Sequence, residues 1–431
     1  MEVALIGTAV LLLLIFLRVP IALALGVVGF VGFWHLTGWR PAFALLGQTL
    51  RDSALSYSLV VIPLFILMGN FLTGAGLSRA LYRAAYVFVG HRRGGLAVST
   101  VLACGGFSAV CGSSLATTAT MGQVAMPSMR AYGYDDRLAA GVIAAGGTLG
   151  ILIPPSVILI IYGLMTETHI GKLFAAGLLP GLVGMALYWG VIWLQTTLDP
   201  AMGPRGERSN WHHRLAALRD VWGVALLILV VLGGIYGGFF TPTEAAGIGA
   251  FFAFVFAIAS RGMGPAGILE VLVETAKTTA ALFAVLIGAM MFAQFINFSG
   301  MHRTLLEFVN GLDVAPVVII LLIVLLYLGL GCVLESLSMI LLTVPILYPV
   351  VVGLGYDPIW FGILVVIAVE VGLITPPIGI NVFVLKSVVR DLPTGTAFRG
   401  VMPFWAADVV RLGLLVAFPG MALILPHWFF G

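Results

Sequence analysis

The chain has 431 residues, of which 61% are apolar and 9% charged, with a net charge of +3 and a mean hydropathy of +1.13. Soluble domains carry roughly 45–50% apolar and about 25% charged residues. This composition therefore excludes an ordinary water-soluble globule, gives no basic footprint for nucleic acid, and indicates a polytopic membrane protein.

The chain opens with Met1-Glu2 and an apolar run that has no basic segment before it, so it reads as a retained span and not a cleaved signal peptide. Apolar runs lie near 3–17, 19–36, 57–76, 95–129, 138–163 and 173–197. A second series lies near 221–240, 244–260, 276–298, 314–352, 360–387 and 400–427. A shift of 222 residues superposes the second series on the first: Pro154-Pro155 recurs as Pro376-Pro377, Gly133-Tyr134-Asp135 as Gly355-Tyr356-Asp357, Pro127 as Pro349 and Pro20 as Pro242. The chain is thus read as two repeats, 1–215 and 216–431. Interrupted apolar segments at corresponding places in two halves mark the binding site of a secondary transporter.

The two longest runs, 95–129 and 314–352, are interrupted halfway by Cys111-Gly112-Ser113-Ser114 and Glu335-Ser336-Leu337-Ser338. Non-helical backbone at membrane depth is tolerated only inside protein or beside water. Both runs are therefore expected to be re-entrant hairpins, the alternative being two ordinary spans joined by a tight loop. With hairpins, each half crosses the membrane five times, and an odd number inverts the second half relative to the first. Placing the 199–219 connector (Arg205, Arg208, Arg214, Arg219) inside puts Arg18, Arg79, Arg83, Arg92, Arg93, Arg130, Arg137, Arg261, Lys277, Lys386, Arg390 and Arg399 on the same side. Arg40, Arg51, Lys172 and Arg303 fall outside, and Arg411 lies within the last span. This ratio of about sixteen to four follows the positive-inside rule and predicts periplasmic termini. The expected fold is an all-α polytopic membrane protein of two inverted repeats, each with about five spans, a hairpin and a broken helix (138–163 and 360–387).

A small cation needs about five or six oxygens at short range, and an intact helix has its carbonyls occupied. Gly146-Gly147-Thr148-Leu149-Gly150 followed by Pro154-Pro155-Ser156 combines permissive backbone with prolines that lack an amide donor. Its counterpart is Gly372-Leu373-Ile374-Thr375-Pro376-Pro377, followed by Asn381. Each break is expected opposite the hairpin tip of its own half, Ser113-Ser114 with Thr148 and Ser336-Ser338 with Thr375. Hydroxyls and freed carbonyls without full charge suit Na⁺ better than a divalent metal, giving one candidate cation site per half. The competing reading is that Pro-Pro only kinks a helix and that the small residues only permit close packing. Half-helix N-termini at the tips suit an anionic substrate. Thr117, Thr118 and Thr120 either line a substrate cavity or bond back to their own helix.

Acidic residues inside a membrane are rare and usually functional. Glu335 aligns with Ser113 and Glu370 with Thr148, so the second half is the more acidic. Each is a candidate to tune the second cation site, carry a proton, or pair with Lys277 or Arg411. Glu244 in Thr241-Pro242-Thr243-Glu244 reads as part of a helix start. The Arg79–Arg93 cluster reads as a cytoplasmic face touching lipid headgroups, and Trp34, Trp39, Trp428 and Phe429 as interfacial anchors. Cys104, Cys111 and Cys332 lack C-x-x-C spacing and read as small buried side chains. No H-E-x-x-H, G-x-S-x-G or G-x-x-x-x-G-K-[ST] motif is present, so no enzyme chemistry and no organic cofactor are expected, and any pumping must be driven by an ion gradient or a partner.

Cys111-Gly112-Ser113-Ser114-Leu115-Ala116-Thr117, Leu149-Gly150-Ile151-Leu152-Ile153-Pro154-Pro155-Ser156, Thr241-Pro242-Thr243-Glu244-Ala245-Ala246, Gly355-Tyr356-Asp357-Pro358 and Thr375-Pro376-Pro377-Ile378-Gly379 give a more specific likeness. In order and spacing they resemble the large membrane subunit, the DctM type, of tripartite ATP-independent periplasmic (TRAP) transporters, across nearly the whole chain. The resemblance implies Na⁺-driven import of an organic anion, commonly a carboxylate or sugar acid, by an elevator movement in the bacterial inner membrane. It implies two partners, a periplasmic substrate-binding protein and a small four-helix membrane subunit expected on a separate polypeptide. It maps one Na⁺ site to Ser113, Ser114, Gly147, Thr148, Gly150 and Pro154, and another to Glu335, Ser336, Ser338, Gly372, Thr375 and Pro376. Thr117, Pro155, Ser156, Pro377 and Asn381 are the candidate substrate-lining residues. With no buried Arg evident in either break, selectivity is expected to rest largely on the binding protein. A stand-alone ion-coupled carboxylate transporter with similar hairpins is the alternative.

Overall fold

A computed structural model describes residues 2–259, 263–312 and 314–431; Arg261 of the charge map lies outside them. Within this range the protein is all-helical. The first half contains α1 (Glu2–Phe16), α2 (Ile21–Thr37), α3 (Trp39–Leu55), α4 (Val61–Gly74), α5 (Leu77–Val89), α6 (Gly95–Cys111), α7 (Ser114–Ala131), α8 (Asp136–Leu152), α9 (Val157–Thr166) and α10 (Ile170–Leu198). The second contains α11 (Trp211–Tyr236), α12 (Pro242–Ala259), α13 (Pro265–Phe298), α14 (Met301–Asn310), α15 (Pro316–Gly331), α16 (Ser336–Gly353), α17 (Pro358–Ile374), α18 (Ile380–Val388), α19 (Thr394–Ala417) and α20 (Gly420–Phe430). The 222-residue offset carries α7 onto α16 and α8 onto α17 at both ends.

Among the described residues, seven helices are long and apolar enough to cross a bilayer, or eight if α8 and α9 form one bent span. At 15 and 17 residues, α1 and α2 fall below that length. Three amphipathic helices, α3, α5 and α14, lie between the apolar runs, where hydropathy gives no signal. The 400–427 run is two helices, because Phe418-Pro419 interrupts it between α19 and α20.

The repeated Gly-Tyr-Asp motif has a local cause. Gly133 and Gly355 take left-handed φ values of 75° and 87°, which end α7 and α16 at little steric cost. Asp135 then caps α8, accepting from Arg137 N at 2.7 Å, and Asp357 caps α17, accepting from Ile359 N at 2.7 Å. Glu244 closes a capping box as expected: its carboxylate accepts from Thr241 N at 2.8 Å, and its own amide donates to Thr241 Oγ1 at 3.3 Å.

Helices α2, α4, α11, α12 and α13 pack together, while α6, α7, α8, α18 and α19 form a second body with α10 and α17. Asn70 of α4 donates to Thr275 Oγ1 of α13 at 2.9 Å, a hydrogen bond within the first body. The two hairpins and the two broken helices converge beside it.

Candidate functional site

Helices α6 and α7 form an arm pair whose turn, Gly112-Ser113, is short because Gly112 is left-handed and Ser113 caps α7, accepting from Ala116 N. The break between α8 and α9, Ile153–Ser156, bends the pair by 41°. It falls near the midpoint of the 136–166 span, and a Cβ added at Gly112 would lie 3.5 Å from Pro155 O. The tip therefore reaches mid-span and does not pass through, which favours a hairpin over two crossings. In the second half, the turn between α15 and α16 meets the break between α17 and α18, with Cys332 Sγ 3.5 Å from Pro376 O. Each tip thus sits on the break of its own half. Both Pro-Pro bonds, Pro154-Pro155 and Pro376-Pro377, are cis.

The candidate residues divide by what their side chains touch. Gly147 and Gly150 form the face of α8 against α7: added Cβ atoms there would lie within 1.9 Å of Thr118 Oγ1 and 3.1 Å of Thr117 Oγ1. The Thr148 hydroxyl is turned away, donating to Ala145 O at 2.7 Å and lying 3.1 Å from the Tyr188 hydroxyl. Thr375 is engaged on its outer side, where Trp405 Nε1 donates to its hydroxyl at 2.9 Å. Gly372 meets Gly331 backbone to backbone, so α17 crosses α15 at close range. Ser338 donates to Glu335 Oε1 at 3.0 Å, and Glu335 is exposed.

Glu370 joins the halves. It is 1% exposed, is hydrogen-bonded to the Ser114 hydroxyl, and accepts from the Ser336 hydroxyl at 2.9 Å. Ser114 and Ser336 are equivalent under the 222-residue shift, so one carboxylate from the second broken helix ties both hairpin tips. The expected partners of the intramembrane acids are not used. Lys277 is exposed, and Arg411 pairs with Asp408 at 2.8 Å, both side chains being 1% exposed. Asp408 also accepts from the Tyr188 hydroxyl. Arg411, Asp408, Tyr188 and Thr148 thereby form a buried polar chain behind the first break. The sequence reading passed over Asp408, although an acid three residues before an arginine in an apolar helix is a legible signal.

Between the tips and the α4–α13 face lies a cavity of about 410 Å³. Its polar lining comprises Asn70, Ser113, Ser114, Glu274, Thr278, Glu335 and Ser336, and among the described residues no arginine, lysine or histidine contributes. Of the candidate substrate-lining residues, Thr117, Pro155, Ser156 and Asn381 are buried away from this cavity; Pro377 is exposed but is not on its wall. The buried positions have their own order. Ser156 caps α9, accepting from Leu159 N at 3.3 Å, and Asn381 donates to Ala144 O at 3.2 Å. Thr117 Oγ1, Thr118 Oγ1 and Asn381 Oδ1 are buried without a hydrogen-bond partner among the described residues. Orphaned oxygens beside two glycines of a helix are a donor set that fits a small hard cation.

Paired hairpins on broken helices around an interior polar cavity define a secondary-transport permease. The family model described as "Tripartite ATP-independent periplasmic transporter, DctM component" matches residues 8–421. The chain belongs to this family and is a multi-pass inner-membrane large permease. Among its relatives is the "C4-dicarboxylate TRAP transporter large permease protein DctM" of Pseudomonas aeruginosa, 39% identical over 386 residues, with 89% of each chain covered. The "Isethionate TRAP transporter permease protein DctMQ" of Oleidesulfovibrio alaskensis is 34% identical over 86% of this chain and 58% of that longer protein. The solved structure of the Alcanivorax borkumensis YdaH transporter shares the fold, with a TM-score of 0.65 at 18% identity and 90% of each chain covered.

Proposed function

We propose that the protein imports an organic anion, a carboxylate or sugar acid, with Na⁺ as coupling ion and with two inverted repeats moving as an elevator. The observation that carries this reading is the charge of the cavity between the hairpin tips: hydroxyls and two carboxylates line it, and among the described residues no basic side chain does. An anion entering such a cavity meets repulsion from Glu274 and Glu335 and has only the N-termini of α7 and α16 to favour it. Bound Na⁺ near Ser114 and Gly147–Gly150, and near Ser336 and Gly372–Pro376, would supply the missing positive charge. Cation binding would then precede substrate binding, and the carrier would cross either loaded with both or empty of both.

The hydroxyls of Ser113, Ser114 and Ser336 and the orphaned oxygens of Thr117, Thr118 and Asn381 would hold the ions. The charge distribution supports periplasmic termini, with the first hairpin entering from the cytoplasm and the second from the periplasm. Substrate would arrive on a periplasmic binding protein, and a small four-helix subunit would complete the permease. The longer isethionate relative, whose name joins M and Q, supports the second partner. Because C4-dicarboxylate and isethionate permeases both align with this chain, selectivity is assigned mainly to the binding protein.

The test is uptake into proteoliposomes holding the permease and small subunit, with loaded binding protein outside. Uptake should require an inward Na⁺ gradient. Undiminished uptake without Na⁺, at fixed pH and membrane potential, overturns the coupling.

A further inference from the structure

A cavity of about 570 Å³ lies far from the hairpin tips, where the turn between α5 and α6 meets the last turns of α10. Arg92 and Arg93 enter it from the turn, Arg205 from the connector after α10, and Trp189, Trp193 and Thr196 from α10 itself. Backbone hydrogen bonds hold the walls together: Gly94 N donates to Gly203 O and Gly206 N to Gly90 O, each at 2.9 Å. None of the three arginines has a carboxylate within ion-pair distance among the described residues. The surroundings are positive as well. The imidazole of His91, which also lines the cavity, is held below its ordinary pKa, first by desolvation and then by Arg92, Arg214 and Arg208.

Trp189 and Trp193 are one helical turn apart and are 41% and 63% exposed, so their indoles face outward from the α10 surface. Three unpaired guanidinium groups at a helix end, with two indoles on the apolar flank below them, match a phosphate joined to acyl chains.

We propose that this cavity binds one anionic phospholipid, its phosphate held by Arg92, Arg93 and Arg205 and its chains lying along α10 past Trp193 and Trp189. A free phosphate would satisfy the arginines but leave the indoles uncovered, and that difference separates the two sources of the same chemistry.

The experiment uses the full chain, delipidated in detergent and titrated separately with phosphatidylglycerol, phosphatidylcholine and inorganic phosphate. Bound lipid is read by native mass spectrometry and stabilisation by the thermal midpoint. Phosphatidylglycerol should bind at one per chain and raise the midpoint, while phosphatidylcholine and phosphate should not. The triple variant Arg92→Gln/Arg93→Gln/Arg205→Gln should lose on the order of a hundredfold in affinity, at about fivefold per arginine. Arg18→Gln/Arg219→Gln/Arg399→Gln, an equal charge change outside the cavity, should retain it. If the triple variant does not fold, Arg205→Gln alone, in the connector, should lose about fivefold. Equal retention of both lipids, or unchanged binding by the variants, overturns the proposal. Stabilisation by inorganic phosphate equal to that by phosphatidylglycerol overturns the lipid assignment in favour of a soluble anion.

Discussion

Removing one member of the Arg411–Asp408 pair should be far more damaging than removing both. The two groups lie 2.8 Å apart with side chains 1% exposed, so either charge left alone would be uncompensated in a low-dielectric interior. Breaking a buried pair from one side costs about 3–5 kcal/mol, whereas replacing both partners with apolar residues of similar volume is often neutral or stabilising. The structure also sets an order between the singles. Asp408 retains the Tyr188 hydroxyl when Arg411 is lost. Arg411 retains no described partner when Asp408 is lost, since its Nε and Nη1 already lack one. Asp408→Leu should therefore fall at the upper end of the range, at about 5 kcal/mol, and Arg411→Leu nearer 3 kcal/mol. The double variant should lie within about 1–2 kcal/mol of the parent, because Tyr188 keeps its contact with Thr148 at 3.1 Å. Equilibrium unfolding in mixed micelles with increasing SDS measures all three. A double variant as unstable as the sum of the singles, or singles in the reverse order, refutes the claim that uncompensated charge dominates.

Glu370→Gln keeps the shape but turns one of the two carboxyl oxygens that accept from Ser114 and Ser336 into an amide that cannot accept; at about 0.5–1.5 kcal/mol for a lost hydrogen bond, the apparent Na⁺ affinity in uptake should fall several-fold. An unchanged Na⁺ dependence would remove Glu370 from the site. Pro154→Ala and Pro376→Ala should lower initial uptake rates several-fold while the amount of protein in the membrane stays near the parent's, as quantified in parallel by immunoblot; parental rates would reduce both breaks to packing features. Arg130 links Asp136 at 2.8 Å to Asp391 at 2.6 Å, and its guanidinium holds the Asp391 carboxyl below its ordinary value. A depressed carboxylate stabilises above its unfolded pKa, so this contribution should be intact at neutral pH and lost as pH falls from the ordinary aspartate value of 3.8 through the lower one that Asp391 has when folded. Asp391→Asn should remove that acid step from the thermal midpoint plotted against pH.

Much of the architecture was legible because proline, glycine and capping residues act locally. The tip at Gly112-Ser113, the breaks at Ile153–Ser156 and Thr375–Gly379, and the Asp135 and Asp357 caps follow from backbone chemistry within a few residues. The second tip, in contrast, lies at Cys332–Glu335, before the expected Glu335–Ser338, and Gly146–Gly150 stay helical within α8, because glycine permits a break without requiring one. The amphipathic helices α3, α5 and α14 were not legible, because hydropathy sees length of apolar sequence and they alternate. Side-chain direction was the least legible feature. Thr148 lies in the expected segment, yet its hydroxyl points to Tyr188, while Gly147 and Gly150 face the hairpin. That Glu370 ties Ser114 to Ser336 depends on two segments more than 250 residues apart in the chain folding onto each other, which no local pattern reports.

Helix α13 has a consequence for the surrounding lipid. In the first half, the corresponding stretch is divided at Ser56 into α3 and the segment that continues into α4; in the second it runs unbroken for 34 residues. At about 1.5 Å per residue that is about 51 Å of rigid rod, of which the apolar stretch 276–298 spans about 35 Å, against a hydrocarbon core of about 30 Å. A jointed segment can lay its amphipathic part along the headgroups, whatever the membrane thickness. A single rod must tilt or protrude, and its fit changes with every ångström of bilayer. The two halves therefore bear hydrophobic mismatch unequally, and acyl-chain length becomes a mechanical variable for this permease, acting through α13 and not through α3.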